Sequence, residues 1–576
     1  MSFNALPYEL YESIFNHVPS PDLQQTVLSV TRAIPDAPFP LHSLFRCIRL
    51  SRPEQAIRLY QRLRFRRGSD PNPDSPKVCA ARAAFEETVG WVKELSIETW
   101  TVDAEIVINL VRLLPKLQSL SVWIGPNNFT PEHLERLFSE PVENLQHLSL
   151  RFRPYVEKAT YYQFLKGAYF DSTLTALSLW PAHFMSVLSI VQDPHNQEKA
   201  QRQGFAQPLV FFRLDLVNLL TSPAISSSLK YLRLRIPSRP VARSLCAGNP
   251  SSFFDLDNCV RLPKLEFLDL STCGVLEAEI DTILSRFATV KHIVLDGCSI
   301  LRGDLHEGEA TALGKRCALI GVFRARDREK MYKAWQESRA VAIAMGSDGA
   351  PAVDQGFNRR PKRGRKGLAT ATISFRTPDP IGVPGPSSST PRRITPPRQE
   401  TSTLEENPSQ QENPIPSGKS KNKVQADRSK LVKIRILPAL PSIATLSITL
   451  PPAIKAEQYP IIRADFEEGW REGIAQLAVT RARLRTSAGN GFRVMRILPA
   501  DNEDSDDEDI ERGSLEEGLY GLEDVDPDDP EAFGMSEGGL ARLDTPTLCF
   551  VGPGRNGAHE LNCGHSFGWE AMKDDM

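Results

Sequence analysis

The chain has no run of eighteen consecutive apolar residues, so nothing in it reads as a membrane-spanning helix. No charged, apolar and small-residue leader opens it; MSFNALPYELYESIF already reads as an amphipathic helix, which argues against a secretory signal. The nine cysteines (47, 79, 246, 259, 273, 298, 317, 549 and 563) are odd in number and without pairing rhythm, so they do not read as a disulfide framework. Together these absences predict a soluble protein of the nucleus or cytoplasm, not secreted, with reduced thiols. Gly-x-Ser-x-Gly, a phosphate-cradling glycine loop and His-Glu-x-x-His are missing, so the chain is expected to be a non-enzyme without a cofactor. The net charge is only −2, yet it is unevenly laid out. Residues 359–366 are strongly basic and 501–531 strongly acidic.

What is present is a repeat. Leu265-x-x-Leu268-x-Leu270-x-x-Cys273 returns as Val290-x-x-Ile293-x-Leu295-x-x-Cys298. Apolar residues at i, i+3 and i+5 with a Cys at i+8 match the leucine-rich-repeat signature. The spacing has a physical cause: a short strand alternates its side chains, and the preceding turn brings one more apolar group to the same side. The Cys then sits in the turn after the strand, where its thiol can meet unpaired backbone groups. Looser copies are Leu95/Ile97, Leu117/Leu120/Val122, Leu145/Leu148/Leu150, Leu174/Leu177/Leu179 and Leu229/Leu232/Leu234. The gap between Leu174 and Leu229 is about two repeats long, and LVFFRLDLV (209–217) reads as a degenerate strand within it. Positions between the core leucines, such as Ser121, Trp123, Ser149, Arg151, Arg233 and Arg235, are expected to face a binding partner.

At the N-terminus, Leu10, Ile14 and Val18 recur every four residues after Pro7, as on one stripe of a helix. A second helix follows from Ser20, with Leu23, Val27 and Val30 as its apolar face. Leu6-Pro7-x-Glu9-Leu10-x-x-x-Ile14, followed by Pro21-Asp22-Leu23 and Leu28-x-Val30, resembles an F-box, and F-boxes commonly precede leucine-rich repeats. The resemblance implies that Leu6, Pro7, Leu10, Ile14 and Leu23 insert into a Skp-type adaptor joined to a cullin complex, and that the repeats hold a protein substrate for ubiquitination. It departs from the pattern after residue 32, where Ala33-Ile34-Pro35-Asp36-Ala37-Pro38-Phe39-Pro40 opposes an immediate third helix. The competing expectation is a non-ligase leucine-rich-repeat scaffold whose N-terminal helices are only a solenoid cap.

The expected fold class is α/β: an F-box-like helical module (1–40), an irregular repeat solenoid (41–345), a disordered basic and Pro/Ser-rich insertion (346–430), a terminal strand–helix–strand repeat (431–500) and an acidic, mostly disordered tail (501–576). The composition of the insertion and tail cannot bury enough apolar surface to offset chain entropy. Arg359, Arg360, Lys362, Arg363, Arg365 and Lys366 read as a nuclear import signal or as a solubilising linker. Arg363-Gly364-Arg365 is also similar to the core of an AT-hook, but Lys366 stands where that family has Pro, and the acidic tail argues against a nucleic-acid partner. Cys549, His559, Cys563 and His565 surround LNCGHSF, which looks like the middle of a RING finger. Lacking the two close ligand pairs of most zinc sites, they read as no metal site.

Overall fold

The computed structural model describes residues 6–18, 20–64, 76–153, 170–182, 184–194, 210–247, 260–298, 308–344, 433–498, 521–534, 543–552, 554 and 557–572. The chain divides into one unit, Met1–Val341 with Val432–Met576, and a second, Ala342–Leu431. The second lies almost wholly outside the described residues, and the basic block from Arg359 to Lys366 lies there with it.

The alternating hexads produce a ladder. Strands β1 (Cys47–Leu50), β2 (Glu94–Ile97), β3 (Ser119–Ile124), β4 (His147–Phe152), β5 (Val187–Gln192), β6 (Tyr231–Arg235), β7 (Phe267–Asp269) and β8 (His292–Val294) pair in chain order, every pair parallel. After the 346–430 segment come β9 (Ile434–Ile436), β10 (Thr445–Ser447), β11 (Arg493–Ile497), β12 (Leu522–Asp524) and β13 (Thr547–Cys549). β10 pairs with β8 and β13 with β10, both parallel, so one sheet of ten strands runs β1 to β8, β10, β13. This mixed α/β arrangement, with a large parallel sheet in chain order, is consistent with a repeat-type solenoid and is leucine-rich-repeat-like.

One face of the main sheet is core. Leu120/Val122, Leu148/Leu150, Leu188/Ile190, Leu232/Leu234, Leu268/Leu270, Ile293/Leu295, Leu446/Ile448 and Leu548/Phe550 are all buried in a single cluster with the helices. Each such leucine contributes about 2 kcal/mol of burial. The helices between strands are α3 (Pro53–Leu63), α4 (Pro76–Gly90), α5 (Ala104–Leu113), α6 (Pro131–Phe138), α7 (Asp171–Ser178), α8 (Leu216–Leu220), α9 (Pro223–Ser226), α10 (Val241–Leu245) and α11 (Glu277–Arg286). They follow two N-terminal helices, α1 (Tyr8–Asn16) and α2 (Ser20–Ala33). The repeat cysteines seal the turns: Cys273 Sγ donates to the Leu234 carbonyl at 2.9 Å and accepts from the Ile236 amide at 3.3 Å, and Cys298 Sγ donates to the Leu270 carbonyl at 3.1 Å. Burial pushes the Cys273 thiol up to about 12, which leaves it unreactive.

Two expected strands are not strands. Leu174 and Leu177 belong to helix α7, and Leu179 is largely exposed. The strand of that repeat is Val187–Gln192 instead. In the 209–217 stretch the described residues form no strand. The Asp171 carboxylate accepts hydrogen bonds from the amides of Phe212, Arg213 and Leu214 at 2.6, 2.9 and 2.9 Å, taking donors that a strand would give to a neighbour.

Beyond the strands lie α12 (Glu309–Ala318), α13 (Ile320–Ala344), α14 (Tyr459–Gly489) and α15 (Gly564–Met572). The Gly491–Leu498 region, expected as part of a terminal repeat, leaves the main sheet: β11 pairs parallel with β9 and antiparallel with β12 in a three-stranded sheet of its own. Part of the C-terminal segment expected to be disordered is therefore ordered. Residues 521–534 supply β12 and are tied down by the buried Arg481 guanidinium, which donates to the carbonyls of Phe533 (3.0 Å), Ala532 (2.8 Å) and Pro438.

Helices α12 and α14 approach through glycine. A methyl group at Gly469 would lie 1.9 Å from the Thr311 carbonyl oxygen, and one at Gly314 2.1 Å from that of Phe466. Backbone cannot yield as a side-chain tip can, so Gly469→Leu should destabilise the protein by about 3 kcal/mol through overpacking. The check is the midpoint of urea unfolding; an unchanged midpoint would show that the helices are not held this close.

Candidate functional site

The N-terminal helices fold around a small core of their own: Tyr11, Phe15, Val27 and Phe39 are buried, with Leu6, Leu23 and Val30 packed partly against them. Tyr11 and Phe39 meet edge to face at 4.6 Å. Helix α1 is thus apolar on two sides. Tyr11 and Phe15 point inward, while Leu10 (48% exposed) and Ile14 (42%), one turn apart, point outward. Of the five residues implied in adaptor binding, Pro7, Leu10 and Ile14 are exposed, whereas Leu6 and Leu23 are half-buried in the module's own core. Tyr8 and Leu28 are also exposed. In place of a third α-helix the described residues hold a single 3₁₀ turn, Leu41–Leu44. Gln24 anchors the module, its amide donating to the carbonyls of Leu44 (3.1 Å) and Cys47 (2.5 Å).

The helix-free face of the main sheet is built in rows. Register places Ser96, Ser121, Ser149, Ser189, Arg233, Asp269, Val294, Ser447 and Cys549 side by side. Ser96, Ser121 and Ser149 are half-exposed, but every member from Ser189 onward is buried. The cause is α15, which lies against β5, β7, β8 and β10. Its Met572 and Phe567 pack with Val187, Tyr231, Phe267 and Val294, and the Phe567 ring stacks on His292 at 3.9 Å. Gly564 and Gly568, one turn apart, let it sit this low: a methyl at Gly568 would lie 2.8 Å from the Phe267 ring.

The helix-free face therefore has two halves. Over β2 to β4 it is open and carries stacked aromatics and guanidinium groups: Trp100 and Trp123 lie 5.0 Å apart, Arg151 covers Trp123 at 4.9 Å and Arg153 covers Trp100 at 4.4 Å. Over β5 to β13 it is closed by the chain itself. Arg233 and Arg235, expected to face a partner, instead bind the fully buried Asp269, with Arg233 Nε at 3.1 Å and Arg235 Nε at 2.9 Å from Oδ2. Arg233 also reaches the Gly568 carbonyl at 3.5 Å. Burial alone would raise the Asp269 carboxyl, but Arg235, Arg233 and the Ser271 hydroxyl hold it down at about 2.

The closed half ends at the four residues that sequence spacing had set aside. Cys549 closes β13, His559 follows in the loop, Cys563 precedes α15 and His565 lies in its first turn. Their ligand atoms all fall within 4.8 Å of one another. His559 Nδ1 is 3.5 Å from Cys549 Sγ and 3.7 Å from Cys563 Sγ; His565 Nδ1 is 3.6 Å from Cys563 Sγ. Both Nε2 atoms are turned away, that of His559 to the Gly554 carbonyl and that of His565 to Asp296 Oδ2, each at 2.6 Å. Cys549, Cys563 and His565 are buried, and the Trp569 ring walls both imidazoles at 4.9 and 6.0 Å. Burial would lower the His565 imidazole, but Asp296 and Cys563 override it and raise it to about 9. The four residue types were visible within residues 549–565, but no local signal shows that they converge. The partner strand β10 and Asp296 come from far upstream, and only the fold joins them.

No family model and no curated protein matches the chain. Nine chains of solved structures do match it. One, the crystal structure of a TLR13–ssRNA13 complex, is 14% identical, covers 38% of this chain and 28% of its own, and has a TM-score of 0.19. The chain spans less than a third of that protein's length, and at that score the likeness carries no argument. Among the described residues no helix is long and apolar enough to cross a membrane.

Removing the Asp269 charge should leave two guanidinium groups short of their buried partner. Asp269→Asn is expected to cost about 3 kcal/mol at pH 7. Because the folded carboxyl is depressed, its contribution is complete above about pH 4 and lost as pH falls through about 2. Urea unfolding of both proteins from pH 7 to pH 2.5 should show the gap narrowing only below pH 4; a constant gap would contradict this account.

Proposed function

We propose that the chain is a substrate-recognition subunit of an SCF-type ubiquitin ligase, docking a Skp-type adaptor through α1 and a protein substrate through the open half of the repeat sheet. The observation that carries this reading is the outward pair Leu10 and Ile14. A nine-residue helix that already has Tyr11 and Phe15 for its own core gains nothing in the free protein from a second apolar side. Such a side is what a partner surface requires. The F-box-like order of residues and the repeats that follow supply the identity of that partner. Substrate then meets Trp123, Arg151 and Arg153 rather than Arg233 and Arg235, and a guanidinium-rich, aromatic surface suits an acidic or phosphorylated segment. The receptor itself performs no chemistry. It raises the concentration of substrate lysines near a charged conjugating enzyme.

One observation favours the alternative of a non-ligase scaffold. Gln24 of α2 caps the carbonyl of Cys47, the first residue of edge strand β1, as a solenoid cap would.

The two readings separate in a binding measurement on the full chain with a purified Skp-type adaptor. Leu10→Asp/Ile14→Asp replaces exposed side chains, so folding should be retained, and affinity should fall about 100-fold or more if both are central anchors. Unchanged affinity, or no binding by the wild type, would leave the scaffold reading.

A further inference from the structure

We infer that Cys549, His559, Cys563 and His565 form a structural zinc site that fastens the C-terminal segment to the end of the repeat sheet. The inference is independent of the ligase reading.

Geometry comes first. In a tetrahedral site with Zn–S near 2.3 Å and Zn–N near 2.0 Å, neighbouring sulfur and nitrogen ligands stand about 3.5 Å apart. The three close Nδ1–Sγ separations here are 3.5, 3.6 and 3.7 Å. All four ligand atoms lie within 4.8 Å of one another. A second, independent observation is the tautomer each imidazole must hold. The Gly554 carbonyl can only accept, so His559 carries its proton on Nε2, and the Asp296 carboxylate imposes the same on His565. Nδ1 of each ring, aimed at the two sulfurs, is thereby the nitrogen left to a metal, with His565 giving up its second proton on binding. A carboxylate behind a ligating histidine is the usual outer partner of a zinc ligand, and Asp296 is itself held by the Thr449 hydroxyl at 2.9 Å.

Chemistry selects the metal. Two thiolates and two imidazoles suit zinc, and an arrangement that fills all four positions from the protein suits a structural role, with no position open for substrate. The fold gives that role meaning. β13 is only three residues long and pairs on one side with β10, while α15 lies on the sheet face with two glycines beneath it. A metal joining the end of β13, the loop and the first turn of α15 binds all three into one piece, and through Asp296 to the end of β8. It thereby holds shut the half of the helix-free face that α15 covers.

The test is the metal content of the full-length protein purified without added metal or chelator, by inductively coupled plasma mass spectrometry. About one zinc per chain is expected in the wild type and almost none in Cys549→Ala/Cys563→Ala. Because that variant also removes two buried side chains of the tail, the wild type is also exchanged with cobalt(II). A tetrahedral visible spectrum with thiolate charge-transfer bands is expected, and Asp296→Asn should weaken zinc binding roughly 10- to 100-fold in a chelator competition. Wild-type protein without zinc, zinc retained by the double variant, an octahedral cobalt spectrum, or a Cys549–Cys563 disulfide in freshly purified protein would each overturn the assignment.

Discussion

A parallel strand in a repeat stack has no partner of its own; it is paired only if the strand before it and the strand after it are in place. Every strand of the ten-stranded sheet depends on that constraint. It explains why β10 takes its place beside β8 although some 150 residues separate them, since the core face of β8 would otherwise end on exposed Ile293 and Leu295. It also explains why the tail returns. β10 left an open edge, and β13 covers it with its own Leu548 and Phe550 continuing the core row. An open parallel edge is a template for unwanted pairing, so the far end of a stack needs closing.

Closing the stack changes what its face can do. A row of side chains that begins with half-exposed serines passes under α15 at Ser189 and becomes a buried series with one fully neutralised carboxylate at its centre. Asp269 is tolerable there because two guanidinium groups and Ser271 occupy its oxygens. The aromatic and cationic ladder of Trp100, Trp123, Arg151 and Arg153 sits at the other end, where nothing within the described chain covers it. The exposed part of the face thus lies toward the N-terminal half, the half nearer the module that carries Leu10 and Ile14.

How much of this could be read from residues alone follows from the range of the interactions. The hexads ending in Cys273 and Cys298 were legible because their determinants lie within nine residues, and the thiols do meet the carbonyls of the preceding repeat. Leu174, Leu177 and Leu179 imitated the same spacing, yet Leu174 and Leu177 lie in α7, at whose start Asp171 captures amides more than forty residues away. On α1 the periodicity found the outward stripe Leu10–Ile14 but not the aromatic pair Tyr11 and Phe15, which takes the core. The four Cys/His positions were visible in sequence, but their convergence was not: His565 is oriented by a carboxylate 269 residues upstream. Zinc-ligand pairs recognised by local spacing are a subset of those a fold can assemble.

The central claim is that the C-terminal segment is the closing element of the repeat stack rather than an appendage to it. Hydrogen exchange on the full-length protein addresses this most directly at two amides. Thr547 donates to the Ala444 carbonyl at 2.8 Å, and Ile448 donates to that of Cys549 at 3.0 Å. If the tail closes the stack, peptides spanning 543–550 and 444–450 should be protected to the same degree as those of β7 and β8, opening only with the repeats. Exchange of the 543–550 peptides at the rate of an unfolded chain, with the repeats still protected, would contradict it.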